Sequence, residues 1–532
     1  MKQKSARYEM HKYWGKKPSG DLLHLIEKYS KKGDLVLDPF AGYGVFVCEA
    51  YINGRNAIGN DLNPASVFIQ EQLLEKNIDI DEFKNEINEI LKDLNYLNER
   101  WFTTICPSCG KKAAVIATLR GKDDSLLMNK VNCSCSKAGV EYNFEKSEAL
   151  KLKESEDNIV MPPHPCAELI RNGRISALDN MTTDSLFTKR TLVCHISLFD
   201  RIKSIENKLV RDFAMLVFTS NLANCSKLVP PINSRGPMAP GAWMTGFYIG
   251  NTYLENNVFH YFKNRVAKAI AGKLDFYQKD NNVSCITDLG KVIDTKKFTN
   301  STRGYLITQS DTKNLPFQDN SIDYIFTDPP YGDSVPYFEQ SIIWNTWLQK
   351  EIDYSNEVVV TDAKIRNKRI EEFTDDINKC VKEIYRVLGP EKYFSITFHS
   401  ISGGEWYAIT RGCLEAGFTL HELKLLTQKT FSPRQLNRKM TIKGDVLITF
   451  KKTKERPTLT ELGLDETIKL VKWKTQELLE KRSATTNEIF MHLLVHIFSN
   501  HILFHNVNFM SVLLDNFVIS ENGLWAPKMT AA

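Results

Sequence analysis

With 532 residues the chain is too long for a single hydrophobic core, so two to four domains are expected. A composition of 42% hydrophobic and 25% charged residues excludes a disordered protein and describes an ordinary globular one. A net charge of +5 permits a nucleic-acid partner without requiring one. Eleven cysteines without an apolar leader point to reduced thiols in a cytoplasmic protein, and no run is apolar enough to cross a membrane.

In chain order, His11-Lys12-Tyr13-Trp14-Gly15-Lys16-Lys17-Pro18 precedes an amphipathic helix with apolar positions Leu22, Leu23, Leu25, Ile26 and Tyr29, closed by Gly33. A strand ending in Asp38 turns through Pro39-Phe40-Ala41-Gly42-Tyr43-Gly44 into a helix near Val45. Strand, glycine turn and helix together bring backbone N–H groups close to a ligand. The next strand, Ala57 to Asn60, ends in Asp61-Leu62-Asn63-Pro64. An acidic residue about 20 positions after a glycine turn is placed for ribose hydroxyls, so turn and Asp61 point to a nucleoside-bearing cofactor.

From about Ile69 the α/β alternation breaks off, and a charged helix is expected from Asp81 to Arg100. Cys106-Pro107-Ser108-Cys109-Gly110 and Cys133-Ser134-Cys135 then fit a four-thiolate zinc ribbon. The second pair is one residue tighter than usual, which keeps two pairs of reduced loop cysteines as the alternative and Cys166 as a substitute ligand. Arg201, Lys203, Lys208 and Arg211 recur at helical spacing and read as a solvated face. The Pro/Gly-punctuated segment from Pro230 to Trp243 carries Arg235 and Trp243, residue types that hold phosphates and stack bases. A rigid connector is the competing account.

The alternation resumes at Gly304 to Thr308, followed by Asp311. The apolar run Ile322 to Phe326 then ends in Thr327-Asp328-Pro329-Pro330-Tyr331-Gly332. Proline donates nothing to a sheet ladder and restricts its predecessor, so this strand must stop and turn. A carboxylate, carbonyls without following N–H partners and an aromatic ring are left at its edge, a set suited to gripping a planar amine. A Pro-rich turn beside a surface Asp is the plain alternative.

Further on come a helix with Trp344 and Trp347, and a basic patch (Lys364, Arg366, Lys368, Arg369) before a helix ending near Leu388. Strands at Tyr393–His399, Leu420–Leu426 and Asp445–Phe450 follow. The loop before the last carries Arg434, Arg438 and Lys439, a second phosphate-contacting candidate. After a linker at Lys451–Arg456 the tail reads as helical, with a capping box at Thr485 and Glu488. His492, His496, His501 and His505 read as ordinary helix-face histidines. The absence of a Gly-Lys-Ser/Thr phosphate loop argues against an ATPase.

Asp38-Pro39-Phe40-Ala41-Gly42-Tyr43-Gly44 and Asp328-Pro329-Pro330-Tyr331 resemble motifs I and IV of the DNA amino-methyltransferases. His11–Pro18, Asp61 and Asp311 resemble their motifs X, II and III, and the likeness extends over most of residues 8–452. It implies an α/β fold: a Rossmann-like class I methyltransferase sheet interrupted by a large zinc-ribbon and α-rich insertion, with a helical C-terminal extension. The expected parts are residues 1–70, an insertion at 71–300 with its ribbon at about 101–140 and a probable target-recognition role, 301–452, and a helical 453–532.

The resemblance further implies S-adenosylmethionine held by Asp38, Pro39, Phe40, Gly42, Gly44, Asp61, Asn63 and Asp311. Asp328, Pro329, Pro330 and Tyr331 would then act on a base swung out of double-stranded DNA. Structural zinc would sit on Cys106, Cys109, Cys133 and Cys135. Asp before Pro-Pro-Tyr is the adenine-N6 spelling, which some cytosine-N4 enzymes share. An RNA guanine-N2 methyltransferase and a non-catalytic zinc-ribbon DNA-binding subunit stay as alternatives. A restriction or phage-defence partner fits such an enzyme without being specified by its residues.

Overall fold

In the computed structural model, which describes residues 5–280, 287–400, 403–426 and 444–528, the chain divides into two units. The catalytic-type motifs fall in the unit made of Lys17–Leu62, Cys285–Val335 and Ser355–Ala532. Its strands are short apolar runs stopped by Asp, Asn or Pro: β1 (Leu35–Asp38), β2 (Asn56–Asn60), β3 (Thr287–Lys291), β4 (Thr302–Thr308), β5 (Ile322–Thr327), β6 (Leu388–Phe398), β7 (Phe418–Leu426) and β8 (Asp445–Lys452).

These strands form one sheet in the order β7-β8-β6-β5-β1-β2-β4-β3. All pair in parallel from β3 to β6, whereas β8 runs antiparallel between β6 and β7. Val36, Leu37, Tyr324 and Ile325 are fully buried, as expected for parallel strands covered on both faces. The register sets Leu37 beside Ile325, so β1 and β5 end side by side. Strand order reverses between them, and ligands of open α/β sheets gather at such a point, outside the carboxyl ends. This is the expected class I methyltransferase sheet, with β3 as an added edge strand. Residues 287–291, expected within the insertion, form this strand.

The C-terminal tail is more than helical. Helices Leu464–Leu479, Thr486–Ser499 and Phe509–Asn516 alternate with short strands at Ala484–Thr485, Phe517–Ile519 and Leu524–Pro527. The last of these lies between the other two. Helix, strand, two helices and a closing hairpin make a winged-helix arrangement. Trp525 fills its core and donates to the Thr486 hydroxyl at 3.0 Å. Its Val507 carbonyl lies so close to Gly403 that an added Cβ there would sit 1.6 Å away, which fixes a glycine at the start of helix Gly403–Ala416. The capping box at Thr485 and Glu488 is present as expected.

The other unit comprises Met1–Lys16, Asn63–Ser284 and Pro336–Tyr354. The expected charged helix is two, Ile80–Asp93 and Asn95–Trp101, broken at Leu94. An antiparallel ribbon follows in sequence order through Thr103–Ile105, Lys112–Gly121, Leu126–Cys133 and Ser136–Asn143, and Thr252–Asn256 pairs with its second strand. Inside lies a charge-balanced network of two arginines and two glutamates. Arg120 Nε meets Glu255 at 2.7 Å, Arg190 Nε meets Glu255 at 3.0 Å, and both arginines also bond Glu156.

Burial alone would push the Glu255 carboxyl up, but Arg120 and then Arg190 hold it down at about 2. Its stabilising share is therefore fully present above the unfolded value of about 4.3 and is lost as pH falls through about 2. Glu255→Gln leaves two buried guanidinium groups sharing the single carboxylate of Glu156. It is expected to lower unfolding free energy by about 3 kcal/mol, measured by urea titration at pH 7.

Candidate active site and metal centre

Asp38 ends β1 and is buried, accepting hydrogen bonds from the Phe40 N–H at 3.1 Å and the Thr327 hydroxyl at 3.2 Å. The second bond joins the two strand tips directly, across 289 positions of sequence. Burial raises the Asp38 carboxyl well above the ordinary range, and the nearby Asp328 and Asp61 charges add to the rise. After Pro39 and the half-buried Phe40, the chain turns with positive φ at Gly42 (51°) and Gly44 (85°), a conformation costly for side-chain-bearing residues. The Gly42 N–H donates to Asp61 at 2.8 Å, which ties the loop to the end of β2.

Asn60, which the sequence reading passed over, braces this corner. Fully buried, it donates to the carbonyls of Pro39 (3.2 Å) and Ser310 (3.0 Å) and accepts from the hydroxyls of Thr308 (2.8 Å) and Ser310 (2.6 Å). A polar residue at the close of an apolar strand was its only signal. Asp311 lies beyond the tip of β4, where it caps a short turn by accepting the Lys313 N–H at 2.9 Å.

At the end of β5, Asp328 is about one-fifth exposed. One carboxylate oxygen accepts from the Thr397 hydroxyl at 2.8 Å and from the Tyr331 hydroxyl. The other meets the Lys17 ammonium at 3.0 Å. Lys17 also donates to Tyr331 Oη at 2.9 Å and to Asp445, at the start of β8, at 2.7 Å. Burial pushes the Asp328 carboxyl up and Lys17 is the largest opposing influence; the net shift is upward. Pro329 is buried, Pro330 half-buried, and the Tyr331 ring packs edge-on against Phe398 at 5.1 Å. A cluster of carboxylates at one sheet edge, beside a glycine turn, suits a ligand that carries positive charge near a nucleoside.

Other residues singled out from sequence have partners of their own. Asn63 belongs to the second unit, where its side chain caps helix Pro64–Leu74 and bonds Ser341 at 2.9 Å and Asn345 at 3.0 Å. Trp243 is buried among aromatic rings, 5.6 Å from Trp14 and 5.9 Å from Trp344, with Lys12 over its face. Arg235 is exposed in a short turn, Asn233–Arg235. Arg434, Arg438 and Lys439 lie outside the described residues. Two cations of the patch before helix Ile370–Val387 are spent internally: Arg366 pairs with Glu357, and Lys368 with Asp376 at 2.8 Å.

The Sγ atoms of Cys106, Cys109, Cys133 and Cys135 all lie within 4.8 Å of one another, with contacts of 3.7 Å and 3.4 Å across the two hairpin ends. Four thiolates around a tetrahedral zinc stand about 3.8 Å apart for Zn–S bonds of about 2.3 Å, so the donor set fits that ion. The turn that presents the first pair closes with Gly110 N–H on the Cys106 carbonyl at 2.9 Å. Cys166 is not part of the cluster, and among the described residues no other group of this kind occurs.

Residues 1–71 match the N6/N4 methyltransferase family, described as DNA methylase. No curated protein matches the chain. Among solved structures, a complex of the Haloferax volcanii Trm112 methyltransferase activator with a methyltransferase is 13% identical, covering 29% of this chain and 64% of that one, with a TM-score of 0.17. A DNA modification methylase of Thermus thermophilus, complexed with S-adenosyl-L-methionine, is 14% identical over 32% of this chain and 60% of its own, TM-score 0.18. A SAM-dependent methyltransferase of Methanosarcina mazei is 12% identical over 32% and 83%, TM-score 0.17. The chain thus spans about three fifths of the length of the first two.

Proposed function

We propose, from the match of residues 1–71 to the N6/N4 DNA methylase family, that the chain transfers a methyl group to the exocyclic N6 of adenine in double-stranded DNA. The observation that carries this reading is the Asp38–Thr327 bond, which joins the tip bearing Gly42 and Gly44 to the tip bearing Asp328-Pro329-Pro330-Tyr331. Bound S-adenosylmethionine would supply the methyl group. Gly42 and Gly44 let backbone approach its amino-acid end, Phe40 packs beside it, Asp61 takes the ribose and Asp311 the adenine ring. The target base leaves the duplex because its amine is unreachable within the stack. Asp328 and the Pro329 carbonyl accept the amine's hydrogens and aim its lone pair, and the Tyr331 ring stacks on the base. Placement of this kind contributes much of the rate in a two-substrate transfer.

The four-cysteine ribbon holds zinc as a structural ion within an insertion that recognises the target, with Arg235 on its exposed turn. Asp in front of Pro-Pro-Tyr favours adenine over cytosine. Single-molecule sequencing of DNA from cells expressing the protein tests base, position and motif together. N6-methyladenine at a defined sequence is the expected outcome. N4-methylcytosine would reassign the base, and unmodified DNA would reject the reading.

A further inference from the structure

The roles assigned to Asp328 and Tyr331 make no use of two residues that touch them or share their partners. Lys17 Nζ reaches Asp328 Oδ2 (3.0 Å), Tyr331 Oη (2.9 Å) and Asp445 Oδ2 (2.7 Å). The three charged side chains are 11%, 19% and 7% exposed, so the cluster is largely out of water. Among the described residues, this trio of one ammonium between two carboxylates carries a net charge of −1. A simple Lys–Asp pair would have left none. We propose that Lys17 and Asp445 form a charge-balanced positioning pair: Lys17 keeps Asp328 ionised and aimed, and Asp445 offsets the ammonium so that Asp328 presents its full negative charge to the target amine.

The chemistry explains why both partners are needed. As the amine nitrogen bonds the methyl carbon, the carbon–sulfur bond breaks and a neutral thioether leaves; the nitrogen carries positive charge until water takes its proton, so a net-negative neighbour in a poorly hydrated site favours the transition state. Without Lys17, burial would drive Asp328 toward its neutral form, which accepts an amine hydrogen poorly. Without Asp445, the ammonium would cancel the charge that Asp328 is there to supply. Lys17 is not the proton acceptor: burial alone would lower its pKa, but Asp328 and Asp445 more than offset this and hold it protonated.

The charged and titratable neighbours among the described residues are these. Asp61 adds negative charge from the β2 tip, burial holds Asp38 toward its neutral form, and the Tyr331 and Thr397 hydroxyls donate to Asp328. His399 donates through Nδ1 to the Gly444 carbonyl at 2.7 Å and stands 3.7 Å from Asp445. Glu405 lies over Gly332.

The inference rests on the methyltransferase reading and is tested by pH profiles of single-turnover methyl transfer. Lys17→Met should cut the rate about 100-fold at neutral pH and move the acid limb up by about one unit. Asp445→Asn should also slow transfer, yet move that limb down. Lys17→Arg should recover at least about tenfold of the Lys17→Met loss, because it restores the charge. S-adenosylmethionine affinity should stay unchanged in all three, which shows that the fold is intact. Unmoved limbs, or limbs shifted in the same direction by Lys17→Met and Asp445→Asn, would overturn the pairing. Carbon-13 NMR titration of Asp328 in the wild type and in Lys17→Met decides the point without turnover. If the wild type transfers no methyl, the functional reading falls, whereas an unshifted Asp328 titration sinks this inference alone.

Discussion

Asp328→Ala is expected to bind S-adenosylmethionine as the wild type does and to lose about 10³-fold in methyl transfer, followed with tritiated methyl donor and duplex DNA. The loss is large because, in the proposed reaction, Asp328 would accept directly from the amine. The fold should survive, since Lys17 keeps Asp445 as its counter-charge at 2.7 Å after the alanine is introduced. The glycine loop is braced by Asp38, Asn60 and Asp61, none of which depends on the Asp328 side chain for the bonds described. Unchanged turnover would remove Asp328 from the chemistry.

Cys106→Ser, or treatment with a strong chelator, is expected to release about one zinc per chain and lower the melting temperature by more than about 5 °C. Cys106 is buried at the base of the first knuckle, where it also anchors the turn through its backbone. The ribbon is not an isolated finger: its second strand pairs along Thr252–Asn256 and carries Arg120, whose partner Glu255 lies on that strand. The ion's loss should therefore loosen the sheet without unfolding it outright. Metal content is read by elemental analysis and stability by calorimetry. A protein with no zinc and an unmoved transition would show the four thiols to be reduced bystanders.

Much of the core fold was legible because its signals are local. Strands ending at Asp38, Asn60 and Thr327 are apolar runs stopped by turn residues, and the two motifs name the edge at which they converge. What sequence hid depends on partners far along the chain. Lys17 looks like one cation in a basic opening stretch until Asp328 and Asp445 surround it. Trp243 looks like a stacking residue on a loop, yet its large apolar ring is buried with Trp14 and Trp344. Asn63, two positions after Asp61, carries a second signal that the cofactor motif hides, since Asn before Pro at a helix start is also a capping signal. The winged tail escaped because strands of two to four residues are too short to display alternation. β3 escaped because Gly290 interrupts it.

The threading of the two units bears on biosynthesis. The chain passes from one unit to the other after Lys16, Leu62, Ser284, Val335 and Tyr354, so neither is a contiguous stretch. A ribosome must translate through Tyr354 before the ribbon-bearing unit has all its parts, and through Lys452 before the eight-stranded sheet can close. Both therefore wait, partly assembled and with apolar strands uncovered, for pieces that emerge late. That interval is where chaperone dependence and aggregation should concentrate.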